Sequence, residues 1–216
     1  MVLVSKSIRI VVFDLDGTLT NVQSTWQYLH EMLGTWNVGR QSAEDYWEGK
    51  IDYDTWAQVD SKMWQNVELA TMKTMLSQIT YMDGARETIA RLRREKKVSG
   101  IVSAGISILA EKVRKDLGMD FAIANELNVS EGRMIGTTTV NVSLREKGLV
   151  IKRVVENLGF SLEECAVVGD NIYDLPEGAG LRIAFNPTDV KTVEACDVIV
   201  NGNDLTEILK YIIAAP

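Results

Sequence analysis

The chain is poor in the residues that build many small catalytic and metal centres. Among its 216 residues there is one histidine, His30, and there are two cysteines, Cys165 and Cys196. A single histidine excludes a multi-histidine metal site and argues against a histidine nucleophile, so His30 is expected on a helix surface. The two cysteines stand far apart and show neither metal-ligand nor redox spacing, so neither a zinc site nor a disulfide is expected. Cys165 opens an apolar run and is expected to act as a small buried hydrophobe. No apolar run approaches the ~20 residues of a membrane span. The first six residues, Met1-Val2-Leu3-Val4-Ser5-Lys6, lack a signal-peptide core, which makes the cytoplasm the expected compartment. Positive charge is in the minority: 23 Lys and Arg against 30 Asp and Glu give a net charge of −7. That balance argues against a nucleic-acid or anionic-membrane partner. Neither an internal repeat nor a low-complexity segment is present.

What remains is an ordinary globular composition, 46% apolar and 25% charged, long enough to bury a real core as one domain or one domain with a smaller insert. Short runs rich in Val and Ile, bounded by Gly, Asp or Asn, mark strands at residues 8–13, 98–102, 165–168, 181–185 and 197–200. Between several of them lie segments of helical spacing; Ala85, Ile89 and Leu92 fall on one face. This alternation predicts an α/β fold with a Rossmann-like parallel sheet core and helices on both faces. Residues 121–140 read as a hairpin beside the sheet, its turn at Glu131-Gly132. The stretch from about Asn21 to Thr80 is different. It shows no strand pattern and holds all five tryptophans: Trp26, Trp36, Trp47, Trp56 and Trp64. The composition shift predicts a helical packing unit inserted after the first strand, with most of the rings filling its own core.

Directly after the apolar run Ile10-Val11-Val12-Phe13 stands Asp14-Leu15-Asp16-Gly17-Thr18-Leu19. Two carboxylates two residues apart, at the end of a buried strand and followed by a glycine turn, can hold a metal and attack phosphorus. A carboxylate nucleophile forms an acyl-phosphate and divides one hard displacement into two easier ones. A second carboxylate can protonate the leaving oxygen and then deprotonate water.

The hexapeptide resembles the first motif of the haloacid dehalogenase superfamily of phosphatases, and further motifs follow in that family's order. Ile101-Val102-Ser103-Ala104-Gly105 is similar to the second, Lys147 in Glu146-Lys147-Gly148 to the third, and Val167-Val168-Gly169-Asp170-Asn171-Ile172-Tyr173-Asp174 to the fourth. The spacing, together with Asp83-Gly84-Ala85, looks most like the phosphoserine phosphatase branch. The resemblance implies a core of residues 1–19 and 81–216 with residues 20–80 as an inserted helical cap. It further implies Mg²⁺ as cofactor, Asp14 as nucleophile and Asp16 as general acid and base. Ser103 and the Ala104 N–H would bind a phosphoryl oxygen. Lys147 would offset charge, with Lys152 as runner-up. Asp14, Asp170 and the backbone oxygen of Asp16 would ligate the metal, and Asp174 would hold a metal-bound water or orient a neighbour.

The expected activity is Mg²⁺-dependent hydrolysis of a small phosphate ester. A phosphomutase or phosphotransferase, and a non-catalytic binding protein of the same fold, are the alternatives; a homodimer is compatible with each. The resemblance fails in the cap. Gln23 stands where phosphoserine phosphatases carry a glutamate for the substrate amine, and Asp60 where they carry an arginine for its carboxylate. These two positions, assigned to the substrate pocket, predict that L-phosphoserine is a poor substrate. Tyr173 stands where that branch has asparagine, which bears on the placement of Asp174. The aromatic residues with Asp52, Asp54 and Asp60 also suggest an alkylammonium ester.

Overall fold

The computed structural model describes residues 7–213, so the N-terminal segment 1–6 lies outside the described residues. Seven strands form one sheet in the order β4-β3-β2-β1-β5-β6-β7. They are β1 (Ile10–Phe13), β2 (Val98–Ile106), β3 (Phe121–Ser130), β4 (Arg133–Thr139), β5 (Cys165–Gly169), β6 (Leu181–Phe185) and β7 (Val198–Val200). All neighbours are parallel except β3 and β4. The central strand is apolar on both faces, as a parallel sheet covered on both sides requires. Val11 and Phe13 enter one cluster of buried residues, while Ile10 and Val12 enter the other.

Helices cover both faces. On one side, α5 (Ala85–Arg94) and α6 (Ser107–Leu117) pack against the sheet through Ile89, Leu92, Leu109 and Val113. On the other, α7 (Lys147–Asn157) contributes Ile151 and Val155, which lie with Cys165. The spacing of Ala85, Thr88, Ile89 and Leu92, all buried, is the i, i+3, i+4, i+7 stripe of an amphipathic helix. Short helices α8 (Val190–Ala195) and α9 (Leu209–Ile212) complete the C-terminal part.

Residues 121–140 correct the sequence reading. They form a hairpin, but β3 is itself a sheet member, parallel to β2 over Gly100–Phe121 to Val102–Ile123. Only β4 is the antiparallel addition. The membership of β3 in the parallel sheet was not legible because Asn125, Glu126 and Asn128 interrupt its apolar run, and Asn125 is buried by its hydrogen bonds rather than by hydrophobicity.

Between β1 and α5 the chain forms four helices: α1 (Thr25–Met32), α2 (Trp36–Trp47), α3 (Tyr53–Met63) and α4 (Leu69–Leu76). Ser24 caps α1 by accepting from the Gln27 N–H, and Asp52 caps α3 by accepting from Thr55. The two linkers run side by side: Asn21 N donates to Thr80 O and Met82 N to Leu19 O. The helical segment is not walled off from the sheet. One apolar cluster runs from Val11 and Phe13 through Leu29, Trp26 and Trp64 to Met72.

Within this segment His30 is not on a surface. It is 1% exposed, its Nδ1 lies 2.7 Å from Thr35 Oγ1, and its Nε2 lies 3.1 Å from Asp60 Oδ2. Trp64 packs on the imidazole at 4.7 Å between ring centroids. Room for the ring comes from Gly39, where a Cβ would lie 2.5 Å from His30 Cε1.

Candidate active site

β1, β2 and β5 end on the same edge of the sheet; Asp14 and Asp16 follow β1, Asp170 follows β5, and Ser103 lies near that end of β2. Open parallel sheets place ligands there. Asp14 follows β1, its N–H donating to Val168 O of β5 at 2.8 Å. The chain then turns at Gly17, whose φ of +77° disfavours other residues and where a Cβ would meet Asp170 Oδ2 at 2.8 Å. At Gly169 a Cβ would lie 2.3 Å from Asp174 Oδ2. Those two glycines make room for the carboxylates of Asp170 and Asp174.

Lys147, at the start of α7, is 2% exposed and is hydrogen-bonded to Asp14 Oδ1; its Nζ lies 2.6 Å from Asp174 Oδ1. Asp174 also accepts from the Asn171 N–H at 2.9 Å, so Tyr173 in the motif does not displace it. Asp14, Asp170 and Asp174 offer oxygens within 4.8 Å of one another. Lys152, the alternative cation, is exposed and lies 4.0 Å from Glu156, away from the acids.

Asp16 is half-buried beside this group and bound by Thr25, which donates its N–H at 2.6 Å and its hydroxyl at 2.5 Å. Thr25 opens α1, so an orphan N–H of the first turn finds its acceptor in Asp16. Sequence reasoning missed this residue, although a helix start shortly after the motif was the available signal. Ser103, within β2, is buried, and its Oγ accepts the Gly105 N–H at 2.9 Å. That leaves the hydroxyl proton free to donate elsewhere.

The next carbonyl, Ala104 C=O, accepts three donors: Trp26 Nε1 at 3.1 Å, Asn125 Nδ2 at 2.8 Å and the Tyr53 hydroxyl. Two of these donors belong to the helical segment. They fix the Ala104–Gly105 peptide and with it the acceptor side of Ser103. Asn125 and Tyr53 were not singled out from sequence, because their part depends on a tertiary contact.

The electrostatics follow from burial. Burial raises Asp14 well above the ordinary carboxylate range, against the pull of Lys147. Burial also raises Asp16, while the Thr25 bonds oppose it. Burial, then the Asp174 carboxylate, pushes Asp170 up to about 7. Burial alone would lower the Lys147 ammonium, yet Asp14 and Asp174 hold it above its usual value. Three clustered carboxylates share one ammonium, and a further cation would relieve the excess. The donor set is all oxygen, which suits a hard divalent ion such as Mg²⁺.

A cavity of about 180 Å³ opens on these groups, lined by Asp14, Asp16, Gln23, Ser103, Lys147, Asp170 and Asp174 together with aromatic side chains. Gln23 therefore reaches the cavity. Asp60 does not line it, which corrects its placement in the substrate pocket. It is 1% exposed inside the helical segment, where it accepts from Ser42 at 2.5 Å and faces His30.

The family model for haloacid dehalogenase-like hydrolases matches residues 11–177. The chain belongs to that family. It is an enzyme of the phosphoric monoester hydrolase type. A phosphoserine phosphatase of Methanocaldococcus jannaschii is 30% identical over 211 residues, covering 96% of this chain and 99% of that protein. One of Archaeoglobus fulgidus is 27% identical over 185 residues, and there this chain spans only 54% of the relative's length. A substrate-bound phosphoserine phosphatase structure is 28% identical with a TM-score of 0.82, covering 96% of this chain and 99% of that one. Among the described residues, no helix is long and apolar enough to cross a membrane.

Proposed function

We propose that the enzyme is a Mg²⁺-dependent phosphomonoesterase that hydrolyses a small phosphorylated metabolite through an aspartyl-phosphate on Asp14, and that phosphoserine is not its preferred substrate. The observation that carries this reading is the joint placement of Asp14, Lys147, Asp170 and Asp174, with Asp16 held beside them by Thr25. Residues 20–80 act as the cap and residues 1–19 with 81–216 as the catalytic core.

The fit to Mg²⁺ rests on the surplus of buried carboxylate described above. Asp14 and Asp170 would hold the ion, with the backbone oxygen of Asp16; once bound it would lower the repulsion between a carboxylate and a phosphate dianion. Asp14 attacks phosphorus while Lys147 offsets charge on the equatorial oxygens. The Ser103 hydroxyl donates to one of those oxygens. Asp16, its carboxyl raised by burial, gives its proton to the leaving alcohol and then takes one from the water that cleaves the acyl-phosphate.

Two features support a substrate other than phosphoserine. Gln23 is neutral and cannot neutralise a substrate ammonium. Among the described residues, Lys147 is the one cationic side chain lining the cavity, and it is engaged by Asp14 and Asp174. An unpaired carboxylate taken into such a site loses hydration without compensation. Inorganic phosphate release from a panel of small phosphate esters, with Mg²⁺ and with EDTA, tests the activity. Release that requires Mg²⁺ is expected, and undiminished release in EDTA would overturn the metal reading.

A further inference from the structure

The part of the cavity that the catalytic groups do not occupy is aromatic. Trp26, Trp47, Tyr53 and Trp56 line it with Leu144. Three of these rings brace each other. Trp26 and Trp56 lie 6.3 Å apart, and Tyr53 meets Trp56 edge-on at 5.3 Å. Tyr46 backs Trp56 at 4.9 Å in a stacked pair. Rings packed at these separations leave no gap for a guest between them, so together they form a wall rather than a cage around a cation.

The acids that would complete an ammonium site are turned to other duties. Asp52 caps α3, Asp60 is bound to Ser42 and His30, and Asp54 is exposed in the first turn of α3 and does not line the cavity. Outside the catalytic group the described residues that line the cavity carry no charge; the polar members there include Gln23, Ser24 and Asn171. Trp47 departs from the other rings. It is 54% exposed although it lines the cavity. A large apolar ring kept in water at the margin of a pocket gains most by covering a ligand.

Building on the phosphomonoesterase reading, we propose that the preferred substrates are monoesters of uncharged alcohols that carry one flat apolar ring, with the ring lying against Trp47 and Trp56. A cavity of about 180 Å³ falls below the usual range for drug-sized ligands, roughly 300–1,000 Å³, which limits the alcohol to a single small ring. Recognition comes from ring stacking and loss of apolar surface, not from ion pairs.

The test compares kcat/KM for benzyl phosphate and n-butyl phosphate, whose alcohols are similarly acidic, with O-phospho-L-serine and phosphocholine as charged controls. The full chain is used with Mg²⁺. Benzyl phosphate is expected to exceed n-butyl phosphate by about tenfold, the scale of one aromatic contact plus its buried area. Both charged esters should fall below n-butyl phosphate. Trp47→Ala is expected to bring the benzyl-to-butyl ratio below about threefold, and Trp47→Phe to keep most of it. A benzyl-to-butyl ratio near one in the wild type, or phosphoserine or phosphocholine as the best substrate, would overturn the proposal. Failure to hydrolyse any of the four while a beryllofluoride adduct still forms on Asp14 would overturn it too. Absence of that adduct as well would instead bring down the phosphomonoesterase reading on which it stands.

Discussion

Among the described residues, two groups of inward-facing acidic side chains differ in how they are balanced. In the helical segment, Asp60 faces His30 at 3.1 Å and accepts from Ser42, and His30 is closed on its other side by Thr35. Each side chain there has a partner, and Asp60 does not line the active-site cavity. At the sheet edge, Asp14, Asp170 and Asp174 converge on one Lys147 and open on a cavity. The first group is closed and serves packing. The second leaves carboxylate oxygens over, and buried charge without a partner is costly unless something arrives to neutralise it. Surplus beside open space, more than burial itself, separates a site from a structural network.

The comparison breaks most sharply by removing one acid from each group. Asp14→Asn is expected to lower kcat by at least about 10⁴-fold, as loss of a nucleophile does, with its melting temperature near wild type because Lys147 keeps Asp174. Steady-state rates and thermal melts check this. Asp60→Ala should do the reverse. It leaves Ser42 without its acceptor and His30 without the carboxylate it faces, and should cost about 1–3 kcal/mol by denaturant titration. At low temperature, where the fold persists, its kcat should stay within a few-fold of wild type. An Asp60→Ala enzyme that is fully stable and inactive would place Asp60 back in the site.

The next test concerns pH. Asp14 and Asp16 are raised by burial, and Asp170 is brought to about 7. Without metal, the folded protein therefore holds protons that the unfolded chain releases above about pH 4. Stability should then fall as pH rises from about 4 to 7. Bound Mg²⁺ should remove that fall, widening the gap between melting temperatures in Mg²⁺ and in EDTA as pH increases. A gap independent of pH would contradict the placement of these acids around the ion. The smallest effect is at the seam between the two regions. Tyr53→Phe removes one of three donors to Ala104 C=O and should cost about 1 kcal/mol, with a drop in kcat of a few-fold as the peptide beside Ser103 loosens.

The sheet and the charged set were legible in the sequence for a physical reason. A strand buried on both faces must be continuously apolar, and the residue after it faces the open edge, so Ile10-Val11-Val12-Phe13 located Asp14 and Cys165-Ala166-Val167-Val168-Gly169 located Asp170. What the sequence left hidden were polar residues whose surroundings come from distant segments. Asn125 interrupts an apolar run, so residues 121–140 read as a hairpin beside the sheet, yet Asn125 is buried by hydrogen bonds to Ala104, Asn141 and Val142. His30 reads as a surface residue, yet Gly39 on another helix makes room for its ring. Asp60 occupies a position that alignment assigns to substrate contact, but its partner His30 turns it inward. Local pattern reveals hydrophobic burial, whereas polar burial depends on the partner.

Fluorine NMR of the enzyme with beryllofluoride and Mg²⁺ tests the central claim most directly. A bound resonance in slow exchange that is lost in Asp14→Asn and in EDTA is the expected result. A bound resonance that survives either change would contradict the assignment of Asp14 as the residue that takes the phosphoryl group.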